Sequence, residues 1–314
     1  MLKTTPLFAG LTVALASWLS TPASAAPSVA YLSRAGSGIA CTLTAPCASM
    51  ATALVIAGVA GEVVCLDKSD YQSAVINQSV TISCGDGLWE APDHGVAINT
   101  PAGSSVFIEG LVEDGNGTPA TAFTFQGSGT LTLRHVRIGN NIGANSDALL
   151  FQPSGAGKLQ VTDSVFYTNG GSGSGGGIVI KPKPGGTAQV ELERVTVTGN
   201  AFGIAADGTG STGGINMTIA DSVVANNAND GILATTQAGG APIGVMVKNT
   251  KSANNDFGLR ALGPNITIRA SNSTITGNDT GLAFVGGGAL LTFGNNEVQA
   301  NGSNGAFSGQ VGQQ

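Results

Sequence analysis

Apolar and polar residues alternate with a period of two along most of this chain, in short runs that return as versions of one unit. Aligned on the asparagine that closes each run, the copies end at Asn141, Asn169, Asn200, Asn227, Asn255, Asn278 and Asn301, at intervals of 28, 31, 27, 28, 23 and 23 residues. Ten residues upstream stand Leu131, Leu159, Val190, Met217, Val245, Ile268 and Leu291. Eight upstream stand Leu133, Val161, Leu192, Ile219, Val247, Ala270 and Phe293. Three upstream the column is Ile138, Phe166, Val197, Val224, Ser252, Ile275 and Val298, and Ser252 is the one polar member of the three columns. Alternation inside the unit predicts strands, and a longer period between units predicts stacked copies. A helical solenoid would carry a 3.6-residue rhythm, leucine-rich repeats a leucine–asparagine consensus, and a propeller four strands per unit. None of these fits. One coil of a parallel β-helix does, with each coil about 4.8 Å above the last.

A second strand follows each asparagine: "GIVI" at 177, "GIAA" at 203, "GILA" at 231, "GLRA" at 258 and "GLAF" at 281, with "AFTF" at 122 and "ALLF" at 148 in the same register. Its inward positions are Ile178, Ile204, Ile232, Leu259 and Leu282, then Ile180, Ala206, Ala234, Ala261 and Phe284. The asparagines fall where the coil turns between sheets. An amide offers donor and acceptor together, so stacked copies bond to one another and to turn backbone, and asparagine tolerates the left-handed backbone that bends need. The seven asparagines are therefore expected to form a structural ladder. Before the repeats, "CASMATALVIAGVAGEVVC" predicts a short apolar helix that covers the open end of the first coil, then strands.

The expected organisation is a signal peptide over 1–25, an N-terminal segment with the capping helix over 26–61, a β-helix over 62–305 and a flexible tail over 306–314. Lys3, the apolar stretch Leu7 to Leu19 and the small-residue site Ala23-Ser24-Ala25 carry the first of these. The mature chain is then secreted or periplasmic, with no membrane span. Glycine at 48 of 314 residues and charged residues at only 10% suit strands and tight turns rather than long amphipathic helices. Thirteen basic against nineteen acidic residues, a net charge of -6, disfavour nucleic acid, because no basic excess is present to release counterions. Cys41, Cys47, Cys65 and Cys84 suit an oxidising compartment. Of their three pairings, Cys41–Cys47 and Cys65–Cys84 are favoured; the second closes a loop of about 20 residues, worth roughly 3 kcal/mol in a chain-entropy model. Zinc is disfavoured, since no C-x-x-C pair occurs and there are two histidines.

With its N-terminal helix, "GEVVCLDKSDYQSAVINQSVTIS" and turns of the form "SVxxNxxGI", the chain resembles right-handed parallel β-helix proteins of the pectin-lyase-like superfamily over about residues 45 to 305. The resemblance implies an all-β, right-handed parallel β-helix. It implies little about activity, because that superfamily holds lyases, hydrolases, epimerases and adhesins. Its polygalacturonases use a G-H-G and an R-I-K segment; here G-H-G is absent, and "RIGN" at 137 lacks the lysine.

Candidate chemistry is sparse. Six residues before each asparagine stand His135, Asp163, Arg194, Asp221, Asn249, Asn272 and Asn295. Stacked about 5 Å apart, Asp163, Arg194 and Asp221 would hold coils in register. A His135–Asp163 pair would instead prepare the imidazole for proton abstraction, which makes His135, Asp163 and Arg194 the catalytic candidates. Lys181 and Lys183, in "KPKPGG" on the longest coil, are candidate ligands for an acidic sugar. Asp86, Glu90, Asp93, Glu109, Glu113 and Asp114 offer calcium the oxygen ligands it takes, although no calcium-loop spacing is present. Two functions stand at this point: a non-catalytic exported protein that binds glycan or acts at the cell surface, and a polysaccharide lyase or glycoside hydrolase with a divergent site.

Overall fold

The computed structural model describes residues 28–85, 89–90 (backbone only), 95–171 and 173–312. The expected signal peptide, Asp86, Asp93, His94, Gln314 and the side chain of Glu90 lie outside the described residues. The repeats coil into a parallel β-solenoid whose three sheets hold twelve, ten and nine strands. One coil runs through Gly129–Arg134, Arg137–Gly139 and Asp147–Phe151, and the next through Ala156–Thr162, Val165–Tyr167 and Gly176–Ile180. Each complete coil thus places one strand in each sheet, and the end coils add strands to only one or two of them. The register follows the aligned columns: Leu131 opposes Leu159, then Val190, Met217, Val245 and Ile268. These side chains and most of those of the other two columns fill one continuous core. Ser252, the polar exception, is buried and satisfied by donating to the Gly258 carbonyl at 2.9 Å.

Two corners shape each coil. At the first, between the twelve- and ten-stranded sheets, His135, Asp163, Arg194, Asp221, Asn249 and Asn272 all have φ between 48° and 51°. Their shared feature is thus a left-handed bend, a conformation that costs most residue types energy. At the second corner the asparagines are buried and bonded in sequence. The Nδ2 of Asn141, Asn169, Asn200, Asn227, Asn255 and Asn278 donates to the Oδ1 of the next asparagine at 2.9–3.1 Å. The same Oδ1 accepts the backbone N–H of the preceding asparagine, at 2.9 Å from Asn169 to Asn200 and 3.1 Å from Asn200 to Asn227. From Asn169 to Asn301 each oxygen therefore holds two donors from the coil before it, while the Asn141 Oδ1 at the start has none among the described residues. Asn301 continues to Asn304 Oδ1 at 3.0 Å, which closes the ladder. At the other end Asn141 donates to the buried Glu113 at 2.8 Å.

Three expectations are corrected. In the last coil Leu290, not Leu291, opposes Ile268, and Leu291 and Phe293 are only partly buried. The turn there holds one more residue than its neighbour, and its left-handed position is Gly294 rather than Asn295, so the inward face slips by one. Phe284 is 40% exposed, because its strand is the uncovered edge of the nine-stranded sheet. The expected tail from 306 is also tied down: Gly309–Gln310 pairs with Leu291 and Thr292, and Ser308 bonds to Leu290.

At the N-terminal end Val29–Leu32 forms a strand against Gly61–Cys65, ahead of the helix. The helix Met50–Ala57 packs Met50, Ala53, Leu54 and Ala57 inward against the first strands. Gln78 Nε2 donates to the Leu54 and Gly58 carbonyls at 2.8 and 2.9 Å, satisfying acceptors at the helix end. Cys41 is bonded to Cys47, and Cys65 to Cys84. Val64 opposes Ser83, so the second bridge joins neighbouring coils in one column.

Candidate functional site

The first group of candidates lies on the corner column. Arg194 binds Asp163 with both ends of its fork, Nε to Oδ1 at 2.7 Å and Nη2 to Oδ2 at 3.0 Å, and also meets Glu193. The hydrogen bond from Arg194 holds the Asp163 carboxyl below the usual carboxylate range. Asp221 does not join this pair; it accepts from Asn249 on the following coil. The Nδ1 of His135 lies 3.4 Å from Glu109 of the preceding coil, which Arg134 also binds at 2.7 Å, and no hydrogen bond joins His135 to Asp163. The His135 side chain is 58% exposed. Asp163, Arg194 and His135 are thus brought to one corner but into separate contacts, the Arg194–Asp163 ion pair and the Arg134–Glu109 ion pair beside His135, which tie coils together.

A groove of about 800 Å3 runs along the outer face of the twelve-stranded sheet across six strands, from Gly129–Arg134 to Ile266–Ser271. Its side chains come from two outward columns that the alternation sets beside each other. One contains Lys158, Gln189, Asn216 and Gly244; the other contains Gln160, Glu191, Thr218, Met246 and Arg269. A Cβ at Gly244 would stand 3.2 Å from Asn216 Oδ1, so the glycine keeps the groove open at that coil. The second column continues beyond the groove through Thr132 to the half-buried Phe107, whose ring lies under the Arg134 guanidinium at 5.6 Å. Amides, hydroxyls and one aromatic face at its end are therefore presented at the coil spacing.

Lys181 and Lys183 separate. Lys183 Nζ reaches Gln126 Oε1 at 2.7 Å, while Lys181 Nζ pairs with Asp207 Oδ2 at 2.8 Å. Lys181 and Asp207 line a cavity of about 370 Å3 on the outer face of the nine-stranded sheet. Leu150, Val179, Ala205 and Leu233, four successive members of one outward column, form its floor. Asp147 lines another part of the wall, with Phe202 and the turn Gly173–Gly175. Asp147 is 6% exposed, and its Oδ1 has no hydrogen-bond partner. Burial pushes its carboxyl up to about 7, opposed by the Gly176 N–H and the Lys181 charge. Burial acts the same way on Asp207, but hydrogen bonds from Lys181 and Thr209 outweigh it and hold that group below the usual range. Asp147 and Asp207 escaped the sequence reading, although one signal was present. Ile180 and Ala206 stand in the same inward column, so their following residues, Lys181 and Asp207, had to be neighbours.

Of the acidic residues read as calcium ligands, the three with described side chains, Glu109, Glu113 and Asp114, do not converge. Glu109 is taken by Arg134 and His135, Asp114 accepts from Asn140 and Asn116, and Glu113 lies inside the core. Among the described residues no three His, Cys, Asp or Glu side chains are grouped to hold a metal ion. No helix among them is long and apolar enough to cross a membrane. Compared with known proteins, the chain matches no family model, no curated protein and no solved structure.

Proposed function

We propose that this is an exported, non-catalytic β-solenoid that binds an extended, mainly uncharged glycan along its twelve-stranded face. The observation that carries the reading is the groove: it crosses six coils, four of which present outward amides or hydroxyls, with Lys158 and Arg269 partly offset by Glu191 rather than massed as one charge. Groups that both donate and accept suit a polyhydroxylated chain, and a rigid sheet fixes their backbones so that the ordering cost at binding is that of the side chains alone. The volume lies within the range of ligand clefts. Two disulfides suit an oxidising compartment, in line with secretion or a periplasmic location.

The test is isothermal titration of the protein with soluble neutral and acidic polysaccharides, alongside assays for reducing and unsaturated products. Binding of a neutral glycan without product is expected, and Gln189→Ala/Asn216→Ala should weaken it at least about tenfold, about 1.4 kcal/mol. Unchanged affinity in that variant would remove the groove from the account. Turnover that disappears in His135→Ala would replace binding by lyase or hydrolase chemistry.

A further inference from the structure

Asp147 is a carboxyl kept out of water with one oxygen unbonded, beside a cavity that the groove reading does not use. A buried acceptor without a donor is costly, and holding the proton to near neutral pH relieves that cost only in part. The remaining walls narrow the chemistry that could relieve it. A cationic ligand would have to face the Lys181 ammonium, whose charge already acts on Asp147. An anionic ligand would face Asp147 and Asp207 together. The floor of Leu150, Val179 and Ala205 offers nothing polar, whereas the Lys181–Asp207 pair offers a donor and an acceptor side by side. A neutral ring with hydroxyls at its edge and an apolar C–H face meets all of these surfaces.

We propose that this cavity is a second ligand site, independent of the groove, that takes a single neutral sugar unit. A ring hydroxyl donates to Asp147, a second hydroxyl bridges Lys181 and Asp207, and the C–H face lies on the apolar floor. Asp147 is almost closed to solvent, so the sugar displaces a little of the wall to reach it.

Titration of the full chain with methyl glycosides of neutral hexoses, followed by ligand-observed NMR, tests the site. Wild-type protein should bind at least one of them, and Asp147→Asn and Lys181→Ala should each weaken it at least tenfold. Ala205→Trp, which fills the floor from an outward position, should abolish it. Gln189→Ala/Asn216→Ala should leave it unchanged, so loss of the groove and loss of this site are separable. Circular dichroism melts of each variant identify any that fail to fold, and Ala205→Trp and Lys181→Ala then decide without Asp147→Asn. No binding of any methyl glycoside by folded wild-type protein, equal binding by the folded variants, or tighter binding of n-butylammonium than of sugar would each overturn the proposal.

Discussion

Asn227→Leu is expected to cost roughly 3–5 kcal/mol of unfolding free energy in chemical denaturation, a value built from two stranded donors at about 1–3 kcal/mol each. Its Oδ1 holds both the backbone N–H and the Nδ2 of Asn200, at 3.1 Å, inside a corner that water does not reach. Leucine strands the Asn200 backbone N–H and one hydrogen of its Nδ2, whose other hydrogen keeps the Phe166 carbonyl at 3.2 Å, and also withdraws the Nδ2 that serves Asn255 at 2.9 Å. Asn301→Leu removes the same two bonds from Asn278, at 3.0 and 2.9 Å. Asn301 is only partly buried, however, and water can replace what is lost. Its cost should stay near or below about 1–2 kcal/mol. Equal, small losses at both positions would mean that the stacked amides do not hold the coils.

The ladder and the inward columns were legible because each rests on spacing within one unit, and stacking copies it upward. What spacing could not reveal was a change of count in a turn. Gly294 lies in a turn one residue longer than its neighbour, so counting back from Asn301 puts the strand before it on the wrong face, while Val298 after it still opposes Ile275. The edge strands Val29–Leu32 and Gly309–Gln310 were missed for a related reason. Each pairs on one side only, so neither carries the full two-faced pattern. Burial of charge was also hidden. Asp147 and Asp230 precede strands that read "ALLF" and "GILA", and their letters resemble those of exposed turn aspartates. Asp230 is 1% exposed, and its Oδ2 lies 3.4 Å from Arg260, which itself stacks over Phe257 at 4.0 Å. The corner residues His135, Asp163 and Arg194 show the opposite effect. Their alignment was visible, but the left-handed bend that explains it was not, so a backbone requirement resembled a catalytic column.

Stability is expected to peak in mild acid and to fall as the pH rises toward 8. Burial raises the Asp147 carboxyl to about 7 and the Asp230 carboxyl to about 6, the latter opposed by Arg260 and reinforced by Asp256. A carboxyl with a raised folded-state value stabilises the protein fully below its unfolded value, near 4, and loses that contribution as the pH passes its folded value. The loss approaches roughly 4 kcal/mol for Asp147 and roughly 3 kcal/mol for Asp230. Asp67, Asp163 and Asp207 act in the other direction: their lowered values give stability above about pH 4 that disappears in stronger acid. Together these place the maximum around pH 4 to 5. Urea unfolding across pH checks it. Asp147→Asn, which cannot ionise, should flatten the decline between pH 5 and 8 and leave that variant more stable than wild type at pH 8. A wild-type profile that rises through that range would show that neither carboxyl is buried as described.

An extended glycan lying along several coils of the twelve-stranded face requires affinity to depend on the length of the sugar chain. Titration with oligosaccharides of one neutral glycan, lengthened one sugar at a time, should show affinity rising stepwise until the chain spans the six strands of the groove and then levelling. Gln189→Ala/Asn216→Ala should remove the steps contributed by the middle of the series. An affinity already complete at one or two sugar units, with no further gain from length, would contradict the groove as the binding face.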